Sequence, residues 1–246
     1  MSDVALLIDF DNVYPRGQST AEELVVEFNR WVSLTRRAVP DVETLHIRLY
    51  GGWQQNGELS NAASEVLSRL PRSPFPLSIN VGGVERLVRG SVELVHRLAA
   101  LPSIQWGHTF RSHRGLPQLR LSESPRPKGC SQADNCPIDL VQRISRRRTR
   151  ECHVPGCSVS NETAFLLREQ KMVDVLLACD AIEYASRSYH LIVISNDLDV
   201  LPSIATTTTL PAASVTLVRG PSAGDQALYT APLEEAGVKF EDLVAA

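Results

Sequence analysis

The 246-residue chain has no apolar stretch long enough to cross a membrane, and no basic segment at its start of the kind that marks a secretory leader. Its first apolar run is interrupted by Asp9 and Asp11 instead. These absences lead to the expectation of a cytoplasmic protein with reduced thiols and no membrane partner. Also missing are Gly-x-Ser-x-Gly, His-Glu-x-x-His and Gly-x-x-x-x-Gly-Lys. No serine nucleophile with an evident base, zinc-protease helix or phosphate-cradling loop is therefore on offer. Aromatic residues make up only 6% of the chain. Few lie near its most basic stretch, which argues against recognition of bases by stacking. Internal repeats are absent as well.

What is present suits a sizeable core: 43% of the residues are hydrophobic and 22% charged. The chain is organised around His190–Ile204, HLIVISNDLDVLPSI. Leu191–Ile194 is a continuous β-branched and apolar run that reads as a strand buried on both faces. It leads directly into Ser195, Asn196, Asp197, Leu198 and Asp199. Carboxylates at the end of a buried strand are costly unless their charge is compensated. In open α/β sheets that end of the strand is also where ligands bind.

Other segments follow the same logic. Val4–Ile8, Thr44–Tyr50, Leu77–Val81 and Ser214–Val218 read as strands. Residues 20–39, with Thr20 and Glu23 placed as a capping box, and Leu59–Leu70 read as helices. Ser91–Leu101 is expected to be helical, and so is Glu162–Arg187, with a break near Gln170. A hairpin is expected from Ile104–Phe110 and Gln118–Leu121, around Arg114-Gly115. Strands alternating with helices predict an α/β fold with a mostly parallel central sheet covered on both faces. Residues 1–121 and 161–232 form its two parts, and 233–246 is a tail helix.

Residues 122–160 look inserted. They are rich in Pro, Ser, Arg and Cys and too poor in apolar residues for a core of their own. Residues 107–150 hold ten Lys or Arg against three acids, while the rest of the chain is acidic. Such a segment is either a polyanion-binding region or a solvated basic loop. Cys130 and Cys136, with Cys152 and Cys157, could close a tetrahedral Zn²⁺ site that folds the insertion; otherwise they are surface thiols. Under the zinc reading, Arg143, Arg146, Arg147, Arg148 and Arg150 project between the pairs as a finger suited to phosphates. Cys179, in an apolar helix, reads as a small buried hydrophobe.

The acids carry the chemistry. Asp9 and Asp11 follow the first strand, Asp174 lies three residues after Lys171 on a shared helix face, and Asp197 and Asp199 follow the key strand. Carboxylates clustered without His or Cys suit Mg²⁺ or Mn²⁺, which activate water and neutralise charge on a phosphate under in-line attack. The helix Lys171–Arg187 is apolar on nearly every side and reads as packed against the sheet, so neither Asp174 nor Asp180 is expected to be a plain surface acid.

Three segments, LLIDFDNVY, KMVDVLLACDAI and IVISNDLDVLPSI, together resemble the NYN domain, a branch of the PIN-like ribonucleases. The first family motif matches Asp9 to Asn12, the second Lys171 and Asp174, and the third Ser195 to Asp199. Asn196 and Leu198 stand where the family has Gly and Ser. The resemblance spans Val4–Val218 without the insertion. It implies a Rossmann-like, three-layer PIN-like fold and a metal-dependent nuclease acting on RNA, less readily on DNA. It implies Asp9, Asp174, Asp197 and Asp199 as metal-binding and catalytic residues. Asn12, Lys171 and Ser195, with the five arginines, would contact substrate, and Asp11 or Asp180 would stand behind the acids. Two alternatives remain. One is an inactive PIN-like module that binds RNA or a protein partner. The other is a haloacid-dehalogenase-like phosphatase with Asp9 as nucleophile, for which Asp197-x-Asp199 is a poor fit.

Overall fold

The computed structural model describes residues 2–14, 21–70, 74–81, 83–109, 111–114, 166–169, 171–220 and 228–243. The chain divides into two compact units, Met1–Phe110 with Gln170–Ala246, and Arg111–Glu169. The second unit is wider than the expected insertion. What is described of it is an antiparallel ribbon, strand β7 (Arg111–Arg114) paired with β8 (Leu166–Glu169).

The first unit is an α/β domain on a seven-stranded sheet in the order β11-β10-β9-β1-β2-β6-β5. The strands are β1 (Ser2–Asp9), β2 (Val42–Tyr50), β5 (Leu77–Val81), β6 (Val84–Leu94), β9 (His190–Ile194), β10 (Ser214–Arg219) and β11 (Val238–Asp242). A minor ribbon, β3 (Gln54–Gln55) and β4 (Glu58–Leu59), turns at Asn56 and Gly57, both at positive φ. All sheet neighbours run parallel except the β5–β6 edge pair.

The central strands are apolar on both faces because both are covered. Val4, Leu6 and Ile8 of β1 face one core with Leu45, Ile47, Leu49 and Ile192. Ala5 and Leu7 face a second with Leu191, Val193 and Leu217. The first core is closed by α2 (Ala21–Ala38) and α3 (Asn61–Arg69), whose start is capped by Ser60 Oγ accepting from Ala63 N at 3.2 Å. The second is closed by α4 (Lys171–Ser186), α5 (Leu201–Thr207) and α6 (Thr230–Glu235). One turn, α1 (Phe10–Val13), follows β1. Among the described residues no helix is long and apolar enough to cross a membrane.

Several sequence expectations are overturned. Ser91–Leu101 is not a helix; Val84–Leu94 is one long strand, and turns follow it. The reason is non-local: Gly90 lies so close to β2 that a Cβ there would sit 2.0 Å from the Leu45 carbonyl oxygen. Gly90→Ala is therefore expected to cost about 3 kcal/mol in urea-induced unfolding. A stability equal to wild type would exclude this close approach.

Ile104–Thr109 is not a strand but a loop, held by Trp106 N–H on the His96 carbonyl (2.6 Å) and Gln54 N–H on Thr109 Oγ1 (2.9 Å). The strand that follows it, β7, pairs with β8 rather than with Gln118–Leu121, which lies outside the described residues. Leu166–Glu169 is strand and not helix, and the helix runs over Lys171–Ser186; Gln170, where the break was expected, lies outside the described residues. The tail is also a strand. Gly237, at φ 94°, ends α6, and Val238 and Phe240 then alternate with Lys239 and Glu241 along β11.

Candidate active site

From β1 the chain builds outward to β2, β6 and β5 on one side, and from β9 to β10 and β11 on the other. The connections leaving β1 and β9 therefore diverge, which makes their C-terminal ends the topological switch point, where open α/β sheets form a binding crevice. Asp9 is the last residue of β1, and Ser195 to Asp199 leave β9. Asp174 lies in the first turn of α4, which packs on β1 and β9.

Asp9 is held by its surroundings. It is only 5% exposed, and its Oδ2 accepts the Ser195 hydroxyl at 2.8 Å. The same Ser195 Oγ accepts the Asp197 N–H at 3.0 Å, so one hydroxyl links the two motifs. Asp197 Oδ1 in turn accepts the Asp199 N–H at 3.0 Å, a side-chain turn that leaves Asp199 exposed and Asp197 half-buried. Asn12 donates to Asp9 from the turn after β1. Phe10 anchors that turn, its ring 5.1 Å from Tyr14 and 5.4 Å from Trp53 by centroids. Tyr14 donates to Glu27 (2.8 Å) and accepts from Trp31 Nε1 (2.9 Å), tying the turn to α2.

The acids sense one another. Burial pushes the Asp9 carboxyl up to about 6 against the hydrogen bonds from Ser195 and Asn12, and the charges of Asp197 and Asp11 add to the rise. Asp174 is also pushed up to about 6, by burial first and then by the charges of Asp9, Asp197 and Asp199. The four carboxylates expected to act together thus share one electrostatic environment. They are not drawn into a single coordination sphere: among the described residues no three His, Cys, Asp or Glu side chains form a metal-holding group. The donor chemistry, all carboxylate oxygen under mutual repulsion, fits a hard divalent cation that would draw them together.

No protein-family model, curated protein or solved structure matches the chain. The site is therefore read from its own residues.

Ser195, expected among the substrate contacts, is fully buried and orients Asp9 instead. Asp11 accepts the Gly52 N–H at 2.8 Å, and its charge is felt at Asp9. Asp180 does not: it is fully buried in an ion pair with Arg48, away from the acids. Cys179 is exposed rather than buried, and Val175 (60% exposed) and Ile182 (38%) share its outward face of α4. Asn12 is exposed beside Asp9. Lys171 opens α4, but its side chain lies outside the described residues, as do Cys130, Cys136, Cys152, Cys157 and Arg143, Arg146, Arg147, Arg148 and Arg150.

Sequence reasoning missed one support. Asn196 Oδ1 accepts the Gly220 N–H at 2.7 Å and joins the β9 loop to the end of β10. A Cβ at Gly220 would meet Asn196 Oδ1 at 2.8 Å, so glycine is what lets the amide approach. Asn196 replaces the glycine of the resembled motif, and this bond gives it a task of its own.

Proposed function

We propose that this chain is a metal-dependent ribonuclease of the NYN, PIN-like kind that hydrolyses RNA phosphodiester bonds at Asp9, Asp174, Asp197 and Asp199. The observation that carries the reading is the meeting of these acids, from three separate segments, at the switch point of a mostly parallel sheet. A Mg²⁺ or Mn²⁺ ion held there would supply charge neutralisation at the phosphate and an activated water. Asp199, exposed, and Asp197 and Asp174, half-buried, would present oxygens to the ion, with Asp9 buried behind them. Ser195 and Asn12 orient Asp9 by hydrogen bonds.

The basic segment supports RNA as substrate through its charge, and the four cysteines support a structural Zn²⁺ in the insertion. A phosphatase using Asp9 as nucleophile is disfavoured: Asp9 is 5% exposed and engaged by Ser195, and Asp11, the acid/base of that scheme, is tied to Gly52 N–H. The test is incubation of the purified chain with mixed cellular RNA, with Mn²⁺ and without. Cleavage only with metal supports the reading. RNA retained on the protein without cleavage favours a binding module.

A further inference from the structure

The helix that carries Asp174 has no apolar face of its own. Val173, Leu176, Leu177 and Ala181 of α4 lie in the core, yet Val175 and Ile182 on the opposite side are also large and apolar. Turning such a helix about its axis exchanges one apolar surface for another, so burial alone does not set its rotation.

One polar group on α4 is fully enclosed. Asp180 is 0% exposed, and its Oδ2 takes the Tyr50 hydroxyl at 2.7 Å, Arg48 Nε at 3.1 Å and Arg48 Nη2 at 2.9 Å. Its Oδ1 takes the Ala99 N–H at 2.8 Å. Arg48, itself 5% exposed on β2, also donates to Glu93 Oε2 of β6 (2.8 Å) and the Arg97 carbonyl (2.7 Å). Glu93 Oε1 accepts Arg97 Nε at 2.7 Å. Each member of the network is satisfied, and only one rotation of α4 satisfies Asp180. Any other leaves a buried charge without its partner, which is far more costly than an exchange of apolar surface.

We infer that the Arg48–Asp180 pair is a rotational key for α4 and thereby a positioning device for Asp174. Asp174 lies six residues before Asp180, about 9 Å along a rigid helix, so the rotation fixed at Asp180 sets where the Asp174 carboxylate meets Asp9, Asp197 and Asp199. The catalytic consequence rests on the proposed nuclease reading; the mechanical one does not.

Cys179 gives the test a built-in reporter, because it neighbours Asp180 and faces outward. The full-length double variant Arg48→Met/Asp180→Leu removes both charges while keeping apolar bulk. Its circular dichroism and thermal unfolding are expected to show a folded protein. Alkylation of Cys179 by iodoacetamide, read on the peptide that contains it, is expected to change about fivefold as the helix turns. Metal-dependent RNA cleavage is expected to fall about 100-fold, the consequence of misplacing one group by roughly an ångström. Should the double variant not fold, Arg48→Lys decides, since it keeps the charge and loses the fork; a folded protein with a shifted rate of Cys179 alkylation is expected. An unchanged Cys179 rate in the folded variants overturns the key. A shifted rate in a protein whose wild type cleaves no RNA leaves the key standing and removes the nuclease reading.

Discussion

Asp197→Asn is expected to lower metal-dependent RNA cleavage by at least about a thousandfold, the equivalent of about 4 kcal/mol in the barrier, while leaving the fold intact. The two halves of this expectation come from different atoms. The Asp197 side chain supports local structure through Oδ1, which accepts the Asp199 N–H, and an asparagine carbonyl oxygen can accept that bond as well. Its backbone N–H remains on Ser195 Oγ. What asparagine removes is the charge, and with it the strongest attraction for a divalent cation at the open side of the crevice. Asp9→Asn should have a similar effect on turnover, from the buried side. Initial rates on RNA with Mn²⁺, beside melting curves of each variant, separate chemistry from folding. Retained metal-dependent turnover in both variants would remove the acids from the reaction.

The parts of the fold legible from the chain are those whose signal is local. Val4–Ile8 and Leu191–Ile194 are continuous apolar runs too short for helices, Ser214–Val218 is short and largely apolar, and all three became central strands. Ser60 stands where a cap is needed, and α3 begins there. Val92, Val95 and Leu98 have helical spacing, yet Val92 and Leu94 also alternate as a strand does. The choice between the two was made by Gly90 against Leu45, a contact across 45 positions that no window of sequence contains. The site followed the same division. Asp9, Asp197 and Asp199 were legible because each sits at the end of an unmistakable strand. Periodicity alone does not separate Asp174 from Asp180, because the helix between them is apolar all round and gives no facing direction; only the resemblance sets Asp174 among the metal-binding acids. Arg48, 132 positions from Asp180, assigns one acid to the core and leaves the other to the crevice. The outward placement of Cys179 follows from that same rotation.

The second large effect is on stability. Without metal, the protein is expected to lose stability as pH rises from about 4 to about 6. The folded state raises the Asp9 pKa from 3.8 to about 6, so across that window it binds more protons than the unfolded chain, and the slope of unfolding free energy with pH is negative. Above pH 6 the ionised Asp9 costs up to about 3 kcal/mol, from roughly two pH units at 1.36 kcal/mol each. Asp174 acts in the same direction, weakened by its access to solvent. Asp9→Asn therefore ought to melt higher than wild type at neutral pH and show a shallower pH dependence, although it is also expected to lose turnover. A cation that binds the folded state should reverse the order, stabilising wild type by about 2.7 kcal/mol at a concentration 100 times its Kd and the variant far less. Thermal unfolding at pH 4.5 and 7.5, with and without Mn²⁺, reads all four conditions. A wild-type melting temperature indifferent to pH, or an equal Mn²⁺ shift in both proteins, would mean that Asp9 bears no unfavourable charge for a metal to relieve. A destabilising buried carboxylate persists at a strand end only where its charge has a use, and this experiment measures the cost of that charge and its relief by metal separately from any reaction.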